Sequence, residues 1–312
     1  NQFGHPYQGN MYHGFARSAG LGYWTSSAYT ILGSAAWEIA GEATTPSIND
    51  QITTGFGGSF LGEPLFRIAS LLLETADGSR PGKWREIGAA AISPSTGINR
   101  LFYGDRFKPV FRSHDPAVYT RIDLGANVGS HFTSNVNVNP DPMQPATSQS
   151  YEKGEVMGDF TIAYGLPGKP GYTYNRPFDY FHLQFTAAGS NVLENVITRG
   201  MLYGTDYAWG EDYRGIVGVY GSYDYIAPQI FRISSTALNV GTTAQWWPTK
   251  EFAVQSTALA GVGYGSAGTI RGVNDRDYHH GMTPQVLLAV RFIWNDRVSL
   301  DNLQRQIVHT TA

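Results

Sequence analysis

The sequence contains no cysteine, which excludes disulfides and thiolate metal sites. Charge is scarce: Asp, Glu, Lys and Arg make up 15% of the 312 residues, against about 25% in ordinary soluble domains. A net charge of −3 gives no basic footprint, so nucleic acid is not an expected partner. No run of about 20 apolar residues occurs, so no ordinary transmembrane helix is expected. The chain starts at Asn1 with neither an initiator Met nor an apolar signal core. That predicts a processed or truncated product, from which any secretion signal has been removed.

What is present is unusual for a soluble enzyme. Glycine is abundant at 37 residues, tyrosine (19) outnumbers tryptophan (7), and aromatics reach 13%. Yet the mean hydropathy is only −0.25. Such a balance is expected of a barrel whose lipid-facing residues are diluted by polar inward ones.

The pattern of residues 117–129, AVYTRIDLGANVG, points the same way. Val118, Thr120, Ile122, Leu124, Ala126 and Val128 fall on one face of an extended chain, and Tyr119, Arg121, Asp123 and Asn127 fall on the other. Similar alternation recurs in VMGDFTIAYGL, YFHLQFTA, IVGVYGSYDY, FAVQSTALAGVGY and QVLLAVRFIWN. Residues 195–209 and 229–243 are strand-like with no clear apolar face. The strands run to about ten residues, longer than the five or six of most soluble strands. Tyr207, Trp209, Trp246, Trp247 and Trp294 cluster at strand ends, as an interfacial girdle would. Residues 135–154 and 265–281 are polar and predicted to be long loops, while GEDY at 210–213 is a short turn. A soluble sandwich or barrel also alternates, but the polar faces here carry Gly, Ser, Thr and Tyr rather than a solvated Lys/Glu surface. The ending IVHTTA lacks the terminal aromatic usual in bacterial barrels, and closing strands are expected to be missing.

Residues 1–105 read as helix and loop. The stretch Met11 to Glu42 places small residues at every fourth position (Gly14, Ser18, Gly22, Ser26, Thr30, Ser34) with apolar residues around them. Such a stripe lets another backbone approach closely. Ser47 is a plausible N-cap for a second helical stretch, and Pro64 within it predicts a kink or split. GSRPG at 78–82 reads as a turn, and Trp84 to Ile92 as a shorter helix. The fold class is therefore a transmembrane antiparallel β-barrel of about eight to ten strands over 106–312. The helical segment 1–105 either plugs its lumen or caps its periplasmic mouth.

The motifs NQFGHPYQGNMYHGFARSAG, SAAWE, PSINDQITT and LGEP resemble an uncharacterised bacterial family of predicted outer-membrane proteins, classed as a domain of unknown function. The matching positions are Asn1, His5, Pro6, Gly9, Tyr12, Arg17, Trp37, Glu38, Pro46, Ser47, Asn49, Asp50, Gly62 and Glu63. The resemblance implies an envelope location and no established activity.

The same segment concentrates polar groups in apolar surroundings. Arg17, Glu38, Asn49, Asp50 and Glu63 read as a network tying helices to the barrel wall, since buried charges need partners. The alternative is a lipid acyl hydrolase drawing on His5, His13, Ser27, Glu38 and Asp50, with His as base and the acid orienting it. No GxSxG elbow supports it. No metal site is expected: His5 and His13 are too far apart for an i, i+4 pair, and the adjacent His279 and His280 point apart on an extended chain. Arg121, Asp123, Asp159, His182, Gln184, Asp224 and Arg291 are the expected lumen residues. They either line a pore or fill a closed interior. The leading expectation is a non-enzymatic outer-membrane component (scaffold, binding protein or gated conduit) without a cofactor. Its partners would be the lipid bilayer, lipopolysaccharide or another envelope protein. A soluble binding protein with an apolar cavity is the third reading.

Overall fold

The structure, a computed structural model, describes residues 2–41, 47–136, 147–189, 192–227, 231–271, 275–295 and 298–307. The first part is helical: α1 (Gly4–Ser18), α2 (Tyr23–Ala40), α3 (Ile48–Gln51), a π-helical turn (Ile52–Gly57), α4 (Gly58–Leu73), α5 (Lys83–Ile92) and α6 (Pro94–Phe102). Nine strands follow: β1 (Val118–Val136), β2 (Thr147–Tyr164), β3 (Phe181–Ala188), β4 (Asn195–Trp209), β5 (Tyr213–Ile226), β6 (Phe231–Trp246), β7 (Phe252–Arg271), β8 (Asp275–Trp294) and β9 (Val298–Ile307).

Local chemistry explains the helix ends. The stretch expected as one helix from Met11 to Glu42 is broken at Gly20, whose φ is +95°. There the Gly20 amide donates to the Arg17 carbonyl and the Leu21 amide to the Ala16 carbonyl. That pair of bonds is a Schellman cap with glycine in the left-handed position. Ser47 caps α3 as expected, its hydroxyl accepting from the Asp50 amide. Pro64 does not split its helix. Helix α4 runs through it, and the irregularity lies upstream in the π-helical turn. Proline lacks the amide that would bond the Phe60 carbonyl. That carbonyl instead accepts from the Thr198 hydroxyl of β4 at 3.3 Å.

The strands form one antiparallel sheet in the order β1 to β9, each beside its sequence neighbours. The sheet curls into a half-barrel, and Arg121 of β1 reaches Asp301 of β9. No β1–β9 backbone pairing occurs among the described residues. Two of the expected loops, 135–154 and 265–281, are corrected in their described parts, while 137–146 and 272–274 lie outside the described residues. β7 and β8 stay paired from Gly265↔Gly281 out to Arg271↔Asp275, and β2 begins at Thr147. These stretches have no apolar period to read, but backbone pairing needs none.

The curl defines two faces. The inner face surrounds a cavity of ≈160 Å³ lined by Arg121, His182, Gln184, Arg199 and Arg291 among others. Next to it the interior is filled by Tyr180, Met201, Ile216, Tyr220, Leu259 and Leu287. The outer face exposes Ile122, Leu124, Val156, Leu238, Val240, Val262, Val286, Leu288 and Leu300. Trp209 stacks on Tyr213, and Phe252 packs against Phe292 and Trp294, at the ends of their strands.

The helices dock on the outer face, not in the lumen. Phe60 and Leu61 of α4 and Tyr23 of α2 join Ile162, Phe181, Leu183, Val196, Tyr223 and Tyr225 in one core. Gln2 bonds the Ser266 hydroxyl, and the Tyr223 hydroxyl donates to the Gln2 carbonyl. The expected plug is thus displaced to the outside, for a steric reason. The inner face is occupied by its own side chains, whereas the outer face has notches at Gly200 and Gly221. A Cβ at Gly221 would meet the Phe60 ring, and one at Gly200 would meet Phe178.

Candidate functional site

Two polar centres lie in the helical half, linked by α1. His5, Gly9, His13 and Arg17 stand four residues apart on that helix, so they share one face. Gly9 is where α1 crosses the next segment. A Cβ there would overlap the Thr54 carbonyl oxygen, and a Cβ at Gly58 would overlap Gly9 itself.

The first centre is an ion network around Glu63 of α4. Arg17 donates to both Glu63 oxygens, at 2.7 and 3.0 Å. Arg67, one turn along α4, donates to Glu63 at 2.8 Å, to Asp179 at 2.9 Å and to the Pro177 carbonyl at 2.6 Å. Asp179 sits in the β2–β3 connection, where it also accepts from the Arg176 amide at 2.7 Å. The Phe111 ring lies under the guanidinium groups of Arg17, Arg67 and Arg176. Burial alone would raise the Glu63 carboxyl, but Arg17, the His13 hydrogen bond and Arg67 outweigh it and hold Glu63 well below its ordinary value.

His13 is fully buried, and that burial lowers its imidazole from the ordinary value despite its hydrogen bond to Glu63. It is therefore neutral near pH 7. Its Nε2 lies 3.0 Å from the ionised Glu63 Oε2, so Nε2–H donates. That leaves Nδ1 as a bare acceptor, which has no partner among the described residues.

The second centre joins three helices. His5 of α1, Glu38 of α2 and Asp50 of α3 each offer one ligand-type atom, and these atoms lie within 4.8 Å of one another. His5 Nε2 is 3.5 Å from Asp50 Oδ1, and its Nδ1 is 3.3 Å from the Thr54 hydroxyl. Ser47 touches both acidic residues, Glu38 through its carboxylate and Asp50 through its backbone. Its amide donates to Glu38 at 3.1 Å and its hydroxyl accepts from the Asp50 amide at 3.4 Å. Asn49 donates to Asp50 at 3.5 Å.

The expected five-residue network therefore divides in two, Arg17 with Glu63 and Glu38 with Asn49 and Asp50. Of the groups proposed for acyl hydrolysis, His5, Glu38 and Asp50 converge, but no serine joins them among the described residues. Among the described residues neither His5 nor His13 hydrogen-bonds a serine, and Ser27 Oγ is buried without a partner. No metal site was expected, yet His5, Glu38 and Asp50 present ligand-type atoms close together. That reading sought both ligands on one helix, whereas these three come from three. Arg67 and Asp179 were missed altogether. The four-residue spacing from His5 to Arg17, and again from Glu63 to Arg67, was the available signal. His279 and His280 lie next to each other on β8 and are exposed.

The seven expected lumen residues share the inner face. Asp159 accepts from Gln184 at 2.8 Å and from Thr186 at 2.7 Å. Arg121 pairs with Asp123 and Asp301, and Arg291 with Asp301 at 2.6 Å. Asp224 lies 3.7 Å from Arg199, and His182 faces the cavity.

Residues 1–95 match the model of a family described as a domain of unknown function, DUF3943. That span includes both polar centres except for Phe111 and for Asp179 and its neighbours in the β2–β3 connection. No curated protein and no solved structure matches the chain.

Proposed function

We propose that the chain is a bacterial outer-membrane protein whose curled sheet meets lipid through its outer face, and that it acts as a non-enzymatic envelope scaffold or binding component. One observation carries this reading: the polarity of the fold is inverted. Ile122, Leu124, Val156, Val240, Val262 and Leu288 are exposed, while Arg199, Asp224, Ser222, Thr243 and Thr283 are buried on the opposite face. In water such a surface would be an aggregation liability; in a bilayer it is the stable arrangement.

Helix α2 repeats the inversion. It buries Ser26, Thr30, Ser34 and Glu38 and exposes Trp24, Tyr29, Leu32, Trp37 and Ile39. Small and polar residues inside with large apolar residues outside suit helix packing in an apolar solvent. A scaffold or binding role fits the filled interior better than a conduit does, because Tyr220, Ile216 and Met201 occupy the space beside the small inner cavity.

The absence of cysteine makes the test clean. Single cysteines placed at Leu124, Leu288 and Thr257 would carry an environment-sensitive dye in liposomes containing a lipid-borne quencher. Quenching at the first two positions and not at Thr257 supports the reading. A protein that stays monodisperse without detergent and shows no quenching at any position overturns it.

A further inference from the structure

We infer that His5, Glu38 and Asp50 form a binding site for one divalent transition-metal ion of the zinc or manganese class. The proposal does not depend on the membrane reading.

The contrast between the two polar centres is its basis. Glu63 is buried, and two guanidinium groups and an imidazole surround it. Glu38 is equally withdrawn, at 3% exposure, and faces a second carboxylate. Among the described residues, His5 is the only basic group at ion-pair distance from Asp50, and no Lys or Arg reaches either acid. Two carboxylates facing each other in a buried place repel unless a cation or a shared proton lies between them.

The geometry fits a cation. Ligands around an ion with bonds of about 2.0–2.2 Å stand roughly 3.4 Å apart. His5 Nε2 and Asp50 Oδ1 already stand at 3.5 Å, and small side-chain rotations would bring in Glu38. The supporting shell is in place. If the Thr54 hydroxyl accepts from Nδ1–H, the Nε2 lone pair is turned toward the two acids, which is how metal-binding histidines are oriented. The Ser47 amide donates to the Glu38 carboxylate, and its hydroxyl caps the Asp50 backbone amide at the start of α3.

The donor set selects the ion class. One imidazole nitrogen and two carboxylate oxygens suit Zn²⁺, Mn²⁺ or Fe²⁺, whereas calcium favours an all-oxygen shell. Bound there, the ion would clamp α1, α2 and α3 together. Three protein ligands would leave at least one coordination position for water or a small ligand.

The test uses the whole folded protein after chelator treatment, titrated with ZnCl₂ and separately with MnCl₂ by calorimetry, with thermal melts alongside. One ion per chain and a raised melting midpoint are expected. Glu38→Gln and Asp50→Asn should each weaken binding by at least about tenfold, the effect usual even for outer-shell changes. Thr54→Val leaves all three ligands in place and should also weaken it; this variant serves if the carboxylate changes misfold. His280→Ala on β8, which is none of the three ligands, should bind as the parent does. Failure of the folded parent to take up either ion stoichiometrically overturns the proposal. So does binding that persists undiminished in Glu38→Gln, Asp50→Asn and Thr54→Val together.

Discussion

Glu63 and Arg67 lie one turn apart on α4, joined at 2.8 Å, and both side chains are all but excluded from solvent. Through Arg67 the helical half is tied to Asp179, 112 positions later in the chain. Neutralising Glu63 should therefore be severe. Glu63→Gln takes the paired acid from Arg17 and leaves Arg67 with Asp179 alone, and the loss should be about 3–5 kcal/mol, typical of a buried pair missing one partner. Denaturant unfolding of the purified variant beside the parent measures it. A loss under about 1 kcal/mol would show that the network contributes little.

The same centre makes the fold sensitive to acid. Burial lowers the His13 imidazole, so between its folded value and about 6.5 the unfolded chain binds the extra proton. Stability is fully present above that window and falls as pH drops through it. Glu63, held low by its partners, adds a second loss below about 4.5. Melting midpoints taken from pH 8 to pH 4 should decline in these two stages. His13→Gln should flatten the upper one, and a midpoint unchanged down to pH 5 would contradict the assignment.

An outward charge separates lipid from water as the solvent of the sheet. Leu288→Arg should cost up to about 2–4 kcal/mol in a bilayer, according to depth. At an ordinary water-exposed position the change would stay within about 0.5 kcal/mol. Folding titrations into liposomes read the difference directly, with Leu124→Arg as an independent position on β1.

The Gly221 notch should tolerate no side chain. Gly221→Ala puts a methyl group against the Phe60 ring, and overpacking of this kind costs about 1–3 kcal/mol. Phe60→Leu in the same chain should recover part of the loss. Additive losses in the double variant would show that the two residues do not meet.

How far the sequence reveals this molecule depends on whether a feature is local. The strand faces were legible because Val118 to Leu124 alternates, and because Val286, Leu288, Val290, Phe292 and Trp294 line up on one face with Gln285 and Arg291 on the other. The Ser47 cap and the helix ending at Ile92 follow from short-range chemistry. The outer docking of the helices was not legible. It rests on Gly200 and Gly221, whose missing side chains look like ordinary strand glycines until Phe178 and Phe60 fill them. Nor did spacing along one helix bring out His5, Glu38 and Asp50, which meet only when three helices converge. The strand stretches at 265–271 and 275–281 were not legible because Gly, Ser and His carry no apolar period there.

At the Gly9 crossing, backbone rests on backbone, with no side chain between to yield. His5 stands one turn before that contact and His13 one turn after it, about 12 Å apart along the axis. The spacing between helix α1 and the π-helical turn is therefore fixed at that point. A shift that draws His5 toward Asp50 acts on a rigid lever with its fulcrum at Gly9, and the far arm of that lever carries His13 and Arg17.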